Sequence, residues 1–492
     1  MAARRSGTGR TMTELSRRRR YLVLAICCMS LLIVGLDATI VNVALPDIQR
    51  DLNASVSGLQ WTIDAYTLAI ASFLMLAGST ADRIGRRRVF QLGLALFTVG
   101  SLLCSLAPSL GWLVVFRVVQ ALGGSMLNPV AMSIITNTFT EPRERARAIG
   151  VWGGVIGLSM ALGPVVGGLL VGTVGWRSVF WINIPIGLAA IVLTALFVPE
   201  SKAAKARRPD PVGQTLVVIV LASITYAIIE GPGRGWVSPL ILGLFVLGAA
   251  ALAGLIVCEQ RRVEPLINLK FFRSAPFSGA TVVAVAAFIG LSGFLFLNTL
   301  YLQDVRGYSA LHAGLLTLPM AACTAIFAPI SGRMVGSRGS RRPLLAAGVM
   351  ITVGSGVLAT VTPTTSLTVL LIAYVLFGIG FGLVNAPITN TAVSGMPRAQ
   401  AGVAAAVAST SRQVGNSLGV AVVGSIVTSQ VHGPMRDGFT GASHIGWWIL
   451  VGCGVLIIAL GILTTTRRAK ASAERAAALF PAETTIRDAV PV

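Results

Sequence analysis

The sequence predicts an all-α membrane protein with fourteen spanning helices, on three observations. Only 12% of the 492 residues are charged and the mean hydropathy is +0.80, whereas a soluble domain carries about 25% charge. Apolar runs of roughly 20 residues, the length that crosses a bilayer as a helix, recur from one end of the chain to the other. Lys and Arg collect in alternate connections, the pattern of a chain threaded back and forth through a membrane.

The first run, 21–45, follows Arg17–Arg20. A secretory signal has an apolar stretch of about 7–15 residues and then a cleavage site. This run is too long and no clear cleavage site follows, so it reads as an uncleaved span. The remaining spans are 58–78, 89–107, 112–136, 149–172, 178–198, 212–230, 239–258, 277–302, 311–334, 343–361, 366–390, 402–430 and 445–465. The tails, 1–20 and 466–492, are expected to be poorly ordered.

Charge placement sets the orientation. Of 39 Lys and Arg residues, 32 lie in the two tails and in the connections after even-numbered spans, counting Arg333 at the edge of span 311–334, and 5 lie in the other connections. Arg117 and Arg412 are inside spans. The positive-inside rule then puts both termini in the cytoplasm, in a bacterial inner membrane. With 39 basic against 18 acidic residues, a soluble protein would suggest nucleic acid. Here the surplus faces anionic lipid, and nucleic acid is not an expected partner. The protein is expected to act as a monomer.

No cofactor or metal is expected. Cys27, Cys28, Cys104, Cys258, Cys323 and Cys453 sit in or beside apolar runs, without metal-type spacing. There is no Gly-Lys dipeptide, so no Walker loop for ATP exists. The best enzyme motif is His432 with Asp437 in a short outer connection, a chance spacing. The chain is not expected to be an enzyme.

An internal repeat organises the spans. Gly78, Gly85, Arg87 and Arg88, between spans 2 and 3, recur as Gly332, Gly339, Arg341 and Arg342, an offset of 254. Gly123 and Asn128-Pro129 of span 4 are echoed by Gly380 and Asn385-Ala-Pro387 of span 12, an offset of 257 for the Gly and Asn. The expected domains are a cytoplasmic tail 1–20, a six-helix bundle 21–198, a linker 199–276 with two inserted helices, a six-helix bundle 277–465 and a tail 466–492. Parallel halves of this kind bind substrate between them at mid-depth.

Five stretches resemble the major facilitator superfamily, and within it the fourteen-span drug:proton antiporters. They are Leu36-Asp37-Ala-Thr39-Ile-Val-Asn42-Val-Ala44-Leu45-Pro46, the Gly78–Arg88 connection, Arg117-Val-Val-Gln120-Ala-Leu-Gly123-Gly124, Gly157 with Gly163-Pro164-Val-Val-Gly167-Gly168, and Trp176-Arg177 with Phe180-Trp181-Ile-Asn183-Ile-Pro185. The resemblance implies the major facilitator fold and proton-driven efflux of hydrophobic, often cationic drugs or antibiotics by alternating access. The alternatives are a dedicated exporter of one endogenous metabolite and a proton-coupled nutrient symporter. It further implies that Gly78, Asp82, Arg83, Gly85, Arg86 and Arg87 form a cytoplasmic latch, and that Gly157, Gly163, Pro164, Gly167 and Gly168 form the antiporter motif. In the second-half connection Gly336 replaces the acid.

Charges inside spans are expensive, about 2.5–3.5 kcal/mol each on insertion scales, so the few present are candidates for chemistry. They are Asp37, Asp64, Arg117 and Arg412, with Glu230 at a span end. At 1.5 Å per residue, Asp37, Asp64 and Arg117 lie roughly 8–12 Å below the outer boundary, in one layer. Asp37 and Asp64 are expected to handle the coupling proton or a cationic substrate, with Arg117 tuning them. Arg412, near Gln413 and Asn416, lines the cavity, binds an anionic group or is neutralised structurally. Trp61, Tyr66, Phe294, Phe296 and Tyr374 are candidate aromatic walls.

Overall fold

Apolar runs become helices because a membrane gives backbone N–H and C=O groups no other partner. In the computed structural model every regular element among the described residues is helical. The structure describes residues 16–203, 210–262, 265–394, 401–431 and 435–480. The helices are α1 (Arg17–Leu52), α2 (Val56–Ile84), α3 (Arg86–Ser105), α4 (Leu110–Thr138), α5 (Pro142–Thr173), α6 (Ser178–Trp181), α7 (Asn183–Phe197), α8 (Pro211–Arg234) and α9 (Pro239–Arg261). They continue as α10 (Ala275–Leu300), α11 (Ala310–Arg338), α12 (Arg341–Leu358), α13 (Leu367–Val393), α14 (Ala401–Gln430), α15 (Met435–Leu463) and α16 (Arg467–Ala477). A 3₁₀ turn, Leu269–Arg273, precedes α10, and a π turn, Tyr301–Val305, prolongs it.

Each predicted run coincides with a helix, or, for 178–198, with the pair α6 and α7. Eleven helical segments among the described residues are long and apolar enough to cross a membrane. The three runs outside that set fall on α5, α12 and α14. α12 is only 18 residues long and begins with Arg341-Arg342. α14 carries Arg412, Gln413 and Asn416 among its small residues. For α5 the apolar part that meets the described-residue test is the shorter Leu162–Thr173. Fourteen crossings are therefore not established by length and composition.

Starts and stops follow local chemistry. Ser55, Ser238, Ser274, Ser309 and Ser366 each accept a hydrogen bond from a first-turn N–H, which satisfies one of the donors a helix leaves free. The turns between α2 and α3 and between α11 and α12 are made by Gly85, at φ 124°, and Gly339, at φ 74°. These glycines are the repeated pair, and both hold backbone angles that side chains disfavour.

The repeat also governs packing. α1 to α7 pack on one another, with α3 against α4 and α1 against α5; α10 to α15 pack likewise, with α12 against α13 and α10 against α14. A Cβ on Gly100 of α3 would meet Gln120 of α4, and one on Gly354 of α12 would meet Phe377 of α13. The pairs differ by the same 254 and 257 residues as the sequence echoes. Two seams join the sets, α5 against α11 and α2 against α14. α8 lies over the second seam, against both α2 and α14, and α9 packs outside α8.

The expectation of disordered tails fails at both inner ends. α1 begins at Arg17, capped by Ser16. After span 14 the chain forms α16, capped by Thr466, whose Ala469, Ala473 and Ala476 are buried. Phe480 then stacks on Phe271 at 5.3 Å between ring centres. The Ser472 hydroxyl accepts from the Ala275 N–H at 3.0 Å. An apolar alanine face at helical spacing had a surface to cover, and polar composition hid it.

The close helix pairs give a stability test. A Cβ on Gly123 would lie 2.6 Å from the Gly93 carbonyl oxygen, whereas one on Gly111 meets nothing within 4 Å. Gly123→Ala is expected to destabilise the protein by about 1–3 kcal/mol through overpacking, lowering its melting temperature in detergent. Gly111→Ala, in the same helix, is expected to leave the melting temperature unchanged.

Candidate functional site

α1 and α4 carry the pair at the centre of the first set of helices. Asp37 and Arg117 are 0% and 1% exposed, and an Arg117 Nη donates to Asp37 Oδ2 at 2.5 Å. Gln120 Nε2 donates to Asp37 Oδ1 at 2.8 Å and to Ser101 Oγ at 2.8 Å. Asn183 Nδ2 donates to the same carboxylate oxygen at 3.1 Å. The Arg117 guanidinium also donates to Gln120 Oε1 at 2.7 Å and to the Thr62 carbonyl at 3.1 Å, and lies 4.1 Å from the centre of the Tyr66 ring. Charge, hydrogen bonds and aromatic face together replace the water that both ions lost. The network ties α1, α2, α3, α4 and α7 at one depth. Gln120, Ser101 and Asn183 were not singled out as site residues by sequence reasoning, although Gln120 and Asn183 stand in the quoted motifs.

Asp64 does not join this cluster. Thr62 and Tyr66, two residues on either side of it, face Arg117. Two residues of helix rotate the side chain by about 200°, so Asp64 points the other way, into the seam with α14. It is 0% exposed. Oδ1 accepts from the Thr67 hydroxyl at 3.3 Å, and among the described residues no cation pairs with the carboxylate. Ser417 of α14 lies beside it. One turn outward, Gln60 Nε2 donates to the Val420 and Ala421 carbonyls of α14 at 3.2 and 2.9 Å. Arg117 is thus paired with Asp37 and not with Asp64, so the structure does not bring the three expected residues together.

The small residues of α5 make the other seam. A Cβ on Gly163 would strike Thr39 of α1, and one on Gly167 would lie 2.7 Å from Ile40. On its other side, a Cβ on Gly168 would lie 2.5 Å from the Ala310 carbonyl of α11, and one on Gly314 of α11 would strike the Pro164 carbonyl. α5 is thus held against α1 and α11 at backbone distance near its outer end, which small residues permit. Gly157 lies in α5, but its surroundings fall outside the described residues. So do those of His432 and Asp437. Near the same end, Gln303 Nε2 donates to the Val43 carbonyl at 2.9 Å. These contacts between the two sets gather at the end of the bundle where α5 finishes and α11 begins, so the arrangement is closed at that end.

At the inner end of α2, Asp82 Oδ1 accepts from Arg86 at 2.7 Å. Glu200 is an addition that sequence reasoning missed. Its Oε1 accepts from the Arg87 N–H at 3.1 Å, Arg88 lies 3.8 Å from its other oxygen, and a Cβ on Gly85 would press on its carboxyl at 2.7 Å. The Arg86 N–H donates to the Ser201 carbonyl at 2.9 Å and the Ala203 N–H to the Asp82 carbonyl at 3.1 Å. The signal was present: Glu200 directly follows span 6, one of two acids in a connection with four basic residues. Arg83 is exposed, and Gly78 packs on Pro129.

The aromatic candidates are mostly core. Phe294 stacks on Phe377 at 4.6 Å between ring centres and meets Tyr374 and Trp447 edge-on; Phe296 is fully buried. Trp61 donates to Glu230 of α8 at 2.9 Å. Arg412 donates to the Thr389 hydroxyl at 2.6 Å, away from the Asp37 cluster.

Comparison with known proteins agrees with this architecture. The model of the Major Facilitator Superfamily matches residues 27–420. The multidrug resistance protein Stp of Mycobacterium tuberculosis is 38% identical over 412 residues, 84% of this chain and 76% of that protein. The tetracenomycin C resistance and export protein of Streptomyces glaucescens is 37% identical over 428 residues, 87% of this chain and 79% of its own. Among solved structures, an inward-facing, unoccupied bacterial homologue of the human lysosomal transporter Spinster superposes with a TM-score of 0.62 at 19% identity, covering 95% of this chain and 98% of that one. The nucleoside transporter NupG superposes with a TM-score of 0.63 at 14% identity, covering 90% and 100%.

The buried pair makes a prediction. Removing one partner of a buried ion pair costs about 3–5 kcal/mol because the other charge is stranded. Arg117→Met is therefore expected to lower the melting temperature more than the double variant Asp37→Asn with Arg117→Met. A thermal melt of the three purified proteins measures the difference, and equal losses would deny the pair its mutual dependence.

Proposed function

The chain belongs to the major facilitator superfamily, and we propose that it is a proton-driven antiporter that exports hydrophobic, often cationic drugs or antibiotics by alternating access. The proposed frame is two six-helix bundles, 21–198 and 277–465, rocking about a mid-depth cavity, with both termini in the cytoplasm and one chain as the working unit. The observation that carries the proton reading is Asp64: a sealed acid that, among the described residues, has only hydroxyl neighbours and no cation, in a seam between the bundles.

An acid buried without a cation is cheapest to keep neutral, because a bare carboxylate there has lost its water. Asp64 is the proposed proton carrier. Parting of α2 from α14 on the outer side gives it access to external protons, and closure seals the proton in. Asp37, with three donors and a full counter-ion, is assigned a positioning role in holding the first bundle rigid through the cycle. The α5–α11 contact at Gly168 and Gly314 is the proposed outer barrier to proton leak.

Asp82 and the arginines around it are the proposed inner latch. With the outer side closed, Asp82 is engaged by Arg86 of its own connection, as a released latch would be. Glu200 holds Arg87 and Arg88 in the same released arrangement. A narrower reading, export of one endogenous antibiotic, is favoured by the relative named for tetracenomycin C export.

Dye efflux from energised cells tests the reading. Efflux is expected to stop when a protonophore collapses the gradient while ATP is maintained, and efflux that continues would refute proton drive. Asp64→Asn is expected to reduce gradient-driven efflux to background while leaving the protein folded in the membrane. Undiminished efflux by that variant would remove Asp64 from the mechanism.

A further inference from the structure

Two arginines lie inside spans, and their circumstances are opposite. Arg117 has a carboxylate, an amide oxygen, a carbonyl and an aromatic face. Arg412 has one neutral partner, the Thr389 hydroxyl of α13 at 2.6 Å. That hydroxyl in turn donates to the Asn385 carbonyl at 3.4 Å, so Thr389 fixes the guanidinium without neutralising it. Arg412 Nε is buried with no acceptor. Among the described residues no carboxylate forms an ion pair with Arg412, whose hydrogen bond goes to the neutral Thr389 hydroxyl.

Arginine carries five donors, no acceptor and a permanent charge. Unpaired within a span, it costs a few kcal/mol unless water or an anion compensates it. Arg412 stands eleven residues into α14, about 17 Å along the helix axis from its first residue. Its side chain is partly exposed, and the bond to Thr389 turns the guanidinium toward α13. Asn416 is one turn further on the same helix face, and Asn385 is one turn before Thr389 on α13. The proposed outer closure leaves the route to this point from the cytoplasm.

We propose that Arg412, steadied by Thr389, is a recognition site for an oxyanion group on the exported molecule, so that the substrates include amphiphiles with an apolar body and an acidic head. The planar guanidinium offers a carboxylate two parallel donors, and its free Nε is one of them. The proposal rests on the transport reading above and adds a substrate class to it. A lipid phosphate or a free inorganic anion shares the chemistry, and the test separates these sources.

The experiment measures binding of pyrenebutyrate and of its methyl ester to the purified full chain in neutral detergent, by fluorescence and without a gradient. A charge-assisted pair contributes about 1.5–3 kcal/mol, so the acid is expected to bind about 10- to 100-fold more tightly than the ester. In Arg412→Gln that ratio is expected to fall to near one, and in Arg412→Lys to be partly kept. Equal binding of acid and ester by the unaltered protein, which needs no variant to fold, overturns the proposal. So does an acid preference that survives in Arg412→Gln. Displacement of the acid by equimolar inorganic phosphate or phosphatidylglycerol overturns it too, by making the site one for a free anion or a lipid headgroup. Because no gradient is present, loss of proton drive in the efflux assay leaves this result standing, and the reverse holds.

Discussion

Two opposite charges facing each other inside a membrane, Asp37 and Arg117, fix what the rest of the protein must be. Neither ion is tolerable alone at that depth, so the chain surrounds them with Gln120, Asn183, Ser101, the Thr62 carbonyl and the Tyr66 ring. Each partner comes from a helix that must then sit at one depth and one rotation. The register of α1, α2, α3, α4 and α7 follows from satisfying one pair. A set of helices locked in this way is suited to the rigid-body rocking proposed above.

The same constraint explains where freedom remains. With one face of α2 committed to Arg117, its other face carries Gln60 and Asp64 into the seam with α14, where Asp64 meets hydroxyls and, among the described residues, no cation. The first bundle is electrically closed at its centre and open at its edge. The second bundle has no counterpart of the Asp37 pair, since Arg412 meets only Thr389 among the described residues. Its centre is an aromatic cluster around Phe294, Phe377, Tyr374 and Trp447. The two halves share a packing plan and differ in chemistry. In one set Asp37 and Arg117 neutralise each other, and in the other Arg412 has only a neutral partner among the described residues.

α8 and α9 belong to neither bundle. α8 is tied to α2 at two levels, by Gln214 to the Ser72 carbonyl and by Trp61 to Glu230, and to α14 by Ser425 to the Ile228 carbonyl. It bridges the very seam that holds Asp64. At the inner surface, Glu200 and Ser201 grip the α2–α3 connection while α16 grips the start of α10. Short segments that follow a bundle thus return to brace it, which membrane helices with weakly contrasting faces do not achieve by side-chain packing alone.

The sequence by itself determined the helices, their order and the repeat, because a bilayer admits few backbone solutions and apolar length announces them. It also determined which residues were worth suspicion, because charge within a span is too costly to be idle. Tertiary structure decided the partners. Asp37, Asp64 and Arg117 share a depth in the sequence, yet rotation about α2 sends Asp64 to α14; depth is a sum along one chain, whereas facing depends on how several helices turn together. Glu200 and α16 escaped notice for the same reason: their meaning lies in surfaces contributed by residues far away in the chain, Arg87 for one and Phe271 for the other, and no local pattern contains them.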